Sequence, residues 1–237
     1  MKRTFVALAF FSFTSGHVFA QEICPQFPEP LAVKKPSTDP MVASNGQSRT
    51  STDFNFFTMQ GVGNEPGIIF VGDSLTQGDG ATSKETSYPK RAIEALDKPR
   101  KFVVYAAGGK TSTAIADVFS KETVGAYDIG VIWVGRNNVS QREKIVEDVK
   151  QISQKFESKK VLVLGVLKGL RMSEQKGKIG QDIDQINNDL RSAFPNAVLD
   201  VRTVLACDDY RDNIHLNDRG YAKVGALVQS EITSRGW

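Results

Sequence analysis

The segment Ile68-Ile69-Phe70-Val71-Gly72-Asp73-Ser74-Leu75-Thr76-Gln77-Gly78 decides the fold. Four apolar residues between Gly67 and Gly72 read as a short buried strand, and that strand empties directly into a serine flanked by an acid and small polar residues. A serine at the end of a buried strand is a candidate nucleophile. Gly-Asp-Ser also occurs in turns where Asp and Ser bond only their own backbone, so the meaning of Ser74 depends on the rest of the chain.

Downstream, apolar runs recur at Phe102 to Ala107, Ile129 to Val134, Val161 to Leu167 and Val198 to Val201. They are continuous rather than alternating, as expected of strands covered on both faces. Helical patterns separate them. Pro89 to Leu96 follows Ser87, a cap with Pro in the first turn. Ile145, Val146, Val149, Ile152 and Phe156 form one stripe, and Ile179, Ile183, Ile186, Leu190 and Phe194 form a second that stops at Pro195. A last helix carries Tyr221, Val224, Val228 and Ile232.

Strands alternating with helices imply a parallel sheet of about five strands with right-handed crossovers. All strands of such a sheet end on one edge, and ligands bind outside those carboxyl ends. Ser74 follows the first strand, Gly108 and Gly109 the second, and Asn137 the third, so topology alone brings them to one rim.

The chain has two histidines, His17 and His215. His17 lies in a segment expected to be removed, which leaves His215 as the base available to Ser74, with Asp212 three residues before it to fix the imidazole. These pieces resemble the sequence blocks of the SGNH (GDSL) hydrolase superfamily, in the right order: GDSLTQG at 72 to 78, the turn at Gly108-Gly109, Gly135-Arg136-Asn137-Asn138, and Asp212-Asn213-Ile214-His215. The resemblance covers about residues 66 to 236. It implies a flavodoxin-like three-layer α/β/α sandwich and ester hydrolysis without a metal or cofactor.

Under that resemblance Ser74, His215 and Asp212 form a catalytic triad. The amide of Ser74, the amide of a glycine after the second strand and the side chain of Asn137 form an oxyanion hole. GGKTS, set against the family's Gly-x-x-Gly-x-Thr pattern, favours Gly109 over Gly108. Two departures stand out: the family's Asn ahead of that turn is missing, and GRNN replaces GxND, so Asn138 stands where a carboxylate usually supports the turn. Asp73, Arg136 and Asn138 are candidate substrate-binding residues. For Arg136 the alternative is a rim salt bridge, and Trp133 reads as core. Lys168 to Arg171, after the fourth strand, is expected to face substrate.

Composition sets the bounds. At 237 residues and 40% hydrophobic content the chain can bury one sizeable core. Lys2 and Arg3, the apolar run Phe5 to Phe13 and Val18-Phe19-Ala20 read as a signal peptide over residues 1–20, too short for a membrane span. Its removal would change 30 basic and 27 acidic residues to 28 and 27, a net charge of +1 that gives no argument for nucleic acid. Residues 21–65, rich in Pro, Ser, Thr, Asn and Gln, read as an extended arm or a linker ahead of a domain at 66–237. The aromatics at Phe54, Phe56 and Phe57 suggest that the arm wraps that domain. Cys24 and Cys207 are an even pair that invites a disulfide in an oxidising compartment, the alternative being two free thiols, and with one histidine they are too few for an ordinary zinc site.

Other motifs fail. A phosphate loop ending in Gly109-Lys110-Thr111 would need Gly at Val104, and the α/β-hydrolase elbow would need Gly at Thr76. The reading is an exported serine esterase, with acetyl esters of a carbohydrate or glycan as the sharper expectation and no stable membrane insertion. The alternatives are a lipase, lysophospholipase or thioesterase of the same superfamily, or a glycan-binding module without catalysis.

Overall fold

A computed structural model describes residues 56–125 and 127–237. The expected signal peptide, most of the arm and Cys24 lie outside the described residues. A six-stranded sheet forms the middle layer: β1 (Phe57–Gly61), β2 (Asn64–Gly72), β3 (Arg100–Ala106), β4 (Tyr127–Trp133), β5 (Lys160–Leu164) and β6 (Val198–Leu199), in the order β1-β3-β2-β4-β5-β6. From β3 through β6 every pairing is parallel, and this is the flavodoxin-like strand order.

The five expected strands are all present, and β1 is an addition to them. It pairs antiparallel with β3, Phe57 opposite Ala106 and Met59 opposite Val104. The end of the expected arm is therefore part of the sheet, with Phe57 packed against one core layer and Phe56 against the other. Its residues alternate between half-buried and exposed, as an edge strand with one covered face must. β5 and β6 end at least two residues before their apolar runs do. Beyond Leu164, the Asn187 side chain takes over Val166, accepting its N–H at 2.7 Å and donating to its carbonyl at 3.0 Å. After Leu199, Asp200 caps a short 3₁₀ turn by accepting from the Arg202 amide.

The continuous apolar runs are explained by burial on both faces. Ile68 and Phe70, with Val104, Val131 and Leu162, face α2 (Tyr88–Glu94) and α7 (Asp218–Ser234). Their neighbours Ile69 and Val71, with Val103, Ile132 and Val163, face α3 (Ser112–Phe119), α4 (Arg142–Ser153) and α6 (Lys178–Ala193). Each such side chain contributes about 1.5–3 kcal/mol on burial. α3, which the sequence pattern left unassigned, starts at Thr111, whose hydroxyl accepts from the Ala114 amide. Trp133 is core as expected: it is fully buried, packed edge-on against Tyr88 at 5.3 Å, with its indole N–H donating to Gly165 O.

Candidate active site

β2 lies at the centre of the sheet with β3 and β4 on its flanks, and the ladders continue just past its end. The Ala107 amide donates to Gly72 O at 3.0 Å and the Asp73 amide to Trp133 O at 3.3 Å. The loops after these three strands are thereby held side by side at the point where strand order reverses. Ser74 opens a short helix α1 (Ser74–Gln77) there, capped by Asp73, whose carboxylate accepts from the Leu75 amide. Ser74 is 7% exposed.

His215 reaches this serine from 141 residues away in sequence. Ser74 Oγ lies 3.0 Å from His215 Nε2, and His215 Nδ1 lies 2.9 Å from Asp212 Oδ2. The Asp212 carboxylate is buried in part, which opposes its ionisation. The amides of His215 and Ile214 and the imidazole outweigh that effect and hold its pKa below the ordinary value. An ionised carboxylate only accepts, so Nδ1 carries the hydrogen that donates to Asp212, and Nε2 is left to accept from the Ser74 hydroxyl. Such an arrangement is chemically able to draw a proton off a serine and return it to a leaving group.

The donors around Ser74 are also in order. The Gly108 amide is spent on Gln77 Oε1 at 2.8 Å. Gly109 is exposed at φ +72°, a left-handed turn that favours glycine, and among the described residues nothing accepts its amide. Of the two glycines left open by the sequence, Gly109 is the one with a free N–H. Asn137 is exposed on the next loop and uses one side-chain N–H on Lys110 O at 3.0 Å, leaving the second.

The candidate substrate-binding residues Asp73, Arg136 and Asn138 turn their polar atoms inward. Arg136 donates to Glu174 Oε2 at 2.5 Å, the pair being 10% and 11% exposed, which is the salt-bridge alternative. Asn138 is buried, accepting from the Ser112 amide and donating to Ser112 Oγ and Gln141 Oε1. It supports the turn in the place of the usual carboxylate. Asp73 is buried, and burial raises its pKa from 3.8 to about 6, against the opposing pull of the Leu75 amide, Arg136 and His215. Lys168, expected to face substrate, is buried and bonded to Asp184. Cys207 opens the 3₁₀ turn Cys207–Asp209, and its expected partner Cys24 lies outside the described residues.

Sequence reasoning passed over Gln77, Asn213 and Glu174. Asn213 sat inside a recognised block, while nothing in the polar stretch around Glu174 distinguished it from a surface acid. Among the described residues there is no group of three or more His, Cys, Asp or Glu able to hold a metal, and no helix long and apolar enough to cross a membrane.

The model of the GDSL-like lipase/acylhydrolase family matches residues 70–223, a span that runs from within β2 into α7 and contains every residue of the site. The chain belongs to that family. This GDSL hydrolase is similar to the human platelet-activating factor acetylhydrolase IB subunit alpha2, 25% identical over 198 residues, covering 76% of this chain and 81% of the relative. In fold it resembles the lipase/acylhydrolase of Enterococcus faecalis, with a TM-score of 0.56 and 21% identity over 71% of this chain and 95% of that one. It also resembles Est24, a carbohydrate acetylesterase from Sinorhizobium meliloti, with a TM-score of 0.58 and 14% identity over 72% of this chain and all of that one. The α/β/α sandwich and the GDSL hydrolase assignment thus agree with the sequence reading, and ester substrates follow from the family.

Proposed function

We propose that this GDSL hydrolase is an exported serine esterase that works through a Ser74-His215-Asp212 triad and an acyl-enzyme. The observation that carries the reading is the unbroken chain from Ser74 Oγ through both nitrogens of His215 to Asp212 Oδ2, at 3.0 and 2.9 Å. His215 Nε2 takes the Ser74 proton as Oγ attacks the ester carbonyl. The resulting oxyanion accepts from the amides of Ser74 and Gly109 and from the second N–H of Asn137. Collapse expels the alkoxide, which leaves with the proton from His215. Water then gives its proton to His215, attacks the acyl-Ser74 carbonyl and releases the acid, and Ser74 recovers its proton.

The acyl group is small, in the first place acetyl, and the alcohol belongs to a carbohydrate or glycan. Support comes from relatives and fold neighbours named as acetylhydrolase and carbohydrate acetylesterase, and from the catalytic domain of a Streptococcus pneumoniae peptidoglycan O-acetyltransferase, which shares the fold at a TM-score of 0.50. Export is supported by the amino-terminal pattern over residues 1–20 and by the even pair Cys24 and Cys207, which a disulfide would join in an oxidising compartment.

The test is a chain-length series of 4-nitrophenyl esters, from acetate to octanoate and longer, with the purified protein and with Ser74→Ala. Turnover that is highest for acetate and absent in the variant is the expected result, and a preference for long chains would replace the acetylesterase by a lipase. Export is tested on protein recovered from the producing cell's envelope or medium. Its amino terminus should be Gln21, and the Cys207 peptide should be released only on reduction; an intact Met1 terminus would overturn it.

A further inference from the structure

The loop that carries Asp212 and His215 is exposed at Asp212 and half-buried from Asn213 to His215. Besides the His215–Ser74 contact, Asn213 ties it to one segment through its carbonyl and both polar groups of its side chain. Asn213 O accepts from the Leu170 amide at 2.9 Å, Asn213 Oδ1 accepts from the Arg171 amide at 2.8 Å, and Asn213 Nδ2 donates to Glu174 Oε1 at 2.9 Å.

Glu174 lies on the short helix α5 (Met172–Lys176) and is 8% exposed. Its other oxygen, Oε2, accepts from Arg136 Nη2 at 2.5 Å and from the Gly169 amide at 2.9 Å. Arg136 is the residue immediately before Asn137. A single buried carboxylate therefore grips the loop after β4 with one oxygen and the loop of Asp212 and His215 with the other. The junction is packed to contact, since a Cβ on Gly169 would lie 2.6 Å from both Glu174 Oε2 and Asn213 Nδ2. A nearly buried guanidinium and carboxylate hold each other firmly, because either one left alone would be an uncompensated buried charge.

We infer that Glu174 is a positioning residue that sets the spacing between the oxyanion donor Asn137 and the base His215 by clamping Arg136 and Asn213. This rests on the esterase reading above. Misplacing a reacting group by about 1 Å costs on the order of 10²-fold in rate, so the clamp acts on the chemical step and leaves ground-state binding of a small ester nearly unchanged.

The experiment is a charge swap in the full chain. Glu174→Gln keeps an acceptor for Arg136 and Gly169 but presents N–H groups to Asn213 Nδ2, and kcat for 4-nitrophenyl acetate should fall roughly 10- to 100-fold with KM within about threefold. Asn213→Asp alone faces two carboxylates and should also lose rate. Together the two changes restore every hydrogen bond with the donor reversed, and the double variant should recover to within about threefold of wild type, a coupling that two independent losses cannot produce. A Glu174→Gln enzyme with wild-type kcat, or a double variant no better than the product of the single losses, overturns the proposal. The downfield Nδ1 proton of His215, assigned by its loss in His215→Ala, gives a readout independent of turnover. It should broaden in Glu174→Gln and sharpen again in the double variant, and an unchanged signal overturns the clamp. Failure of wild type and all variants to hydrolyse any ester instead counts against the esterase reading, and the ring-proton signal still decides the clamp.

Discussion

Asp212 holds His215 twice, once with each carboxylate oxygen. Oδ1 accepts from the His215 backbone amide at 2.8 Å, and Oδ2 accepts from the ring Nδ1–H at 2.9 Å. The same Oδ1 also takes the Ile214 amide at 2.7 Å. The Asp-x-x-His spacing is thus the length of one turn closed by its own aspartate, and closing the turn is also what aims the imidazole at Ser74.

Asp212→Asn should separate these two jobs. Its oxygen can still accept the backbone amides, but its NH₂ cannot accept from Nδ1–H, so the ring turns to the tautomer whose Nε2 is protonated and cannot take the Ser74 proton. We expect kcat to fall about 10²- to 10⁴-fold, while the thermal midpoint, read by circular dichroism, moves little. A variant with near-wild-type kcat would remove Asp212 from the triad.

Ser74→Ala and His215→Ala should each reduce kcat by at least about 10³-fold, and the double variant should be no worse than the poorer single one, because groups acting as a unit are not additive. Multiplying losses would show that the two act separately. Labelling by a fluorophosphonate should follow Ser74, with the adduct mapped by peptide mass.

Asn137→Ala removes one of the proposed oxyanion donors and leaves Lys110 O to water, since both groups are exposed. The expected loss is about 10²- to 10³-fold in kcat, with KM almost constant. A rise in KM at unchanged kcat would make Asn137 a ground-state binding residue instead.

Asp73 gives the fold a pH dependence of its own. Burial raises its folded pKa from 3.8 to about 6. Between those values the folded state binds more protons than the unfolded chain, so stability falls as pH rises through the window, by about 3 kcal/mol in all. Asp73→Asn keeps the oxygen that caps α1 and does not titrate. Urea unfolding from pH 4 to pH 7 should show wild type losing stability relative to the variant as pH rises, and parallel curves would sink the assignment.

Much of this was legible from local pattern. The runs Ile68 to Val71 and Ile129 to Val134 are buried on both faces, and a doubly covered strand has no choice but to be apolar throughout. Ser74, Asp212 and His215 were legible because a strand-to-turn serine and a single-turn Asp-x-x-His are each local features. The edge strand β1 was not: five residues with one covered face offer only Phe57, Met59 and Gly61 as a signal, too few to stand out from the polar segment ahead of them.

The sequence by itself determined the alternation of strands and helices and the rim on which Ser74, Gly108-Gly109 and Asn137 meet, because burial and turn chemistry act over a few residues. Only the tertiary structure decided that Gly108 is occupied by Gln77, that Arg136 faces Glu174, and that Glu174 joins Arg136 to Asn213 across 38 and 39 positions. Those are pairings of polar groups, and any acid can pair with any base. The choice is made by which groups the packed sheet and helices leave buried together, where a charge without a partner costs too much to keep.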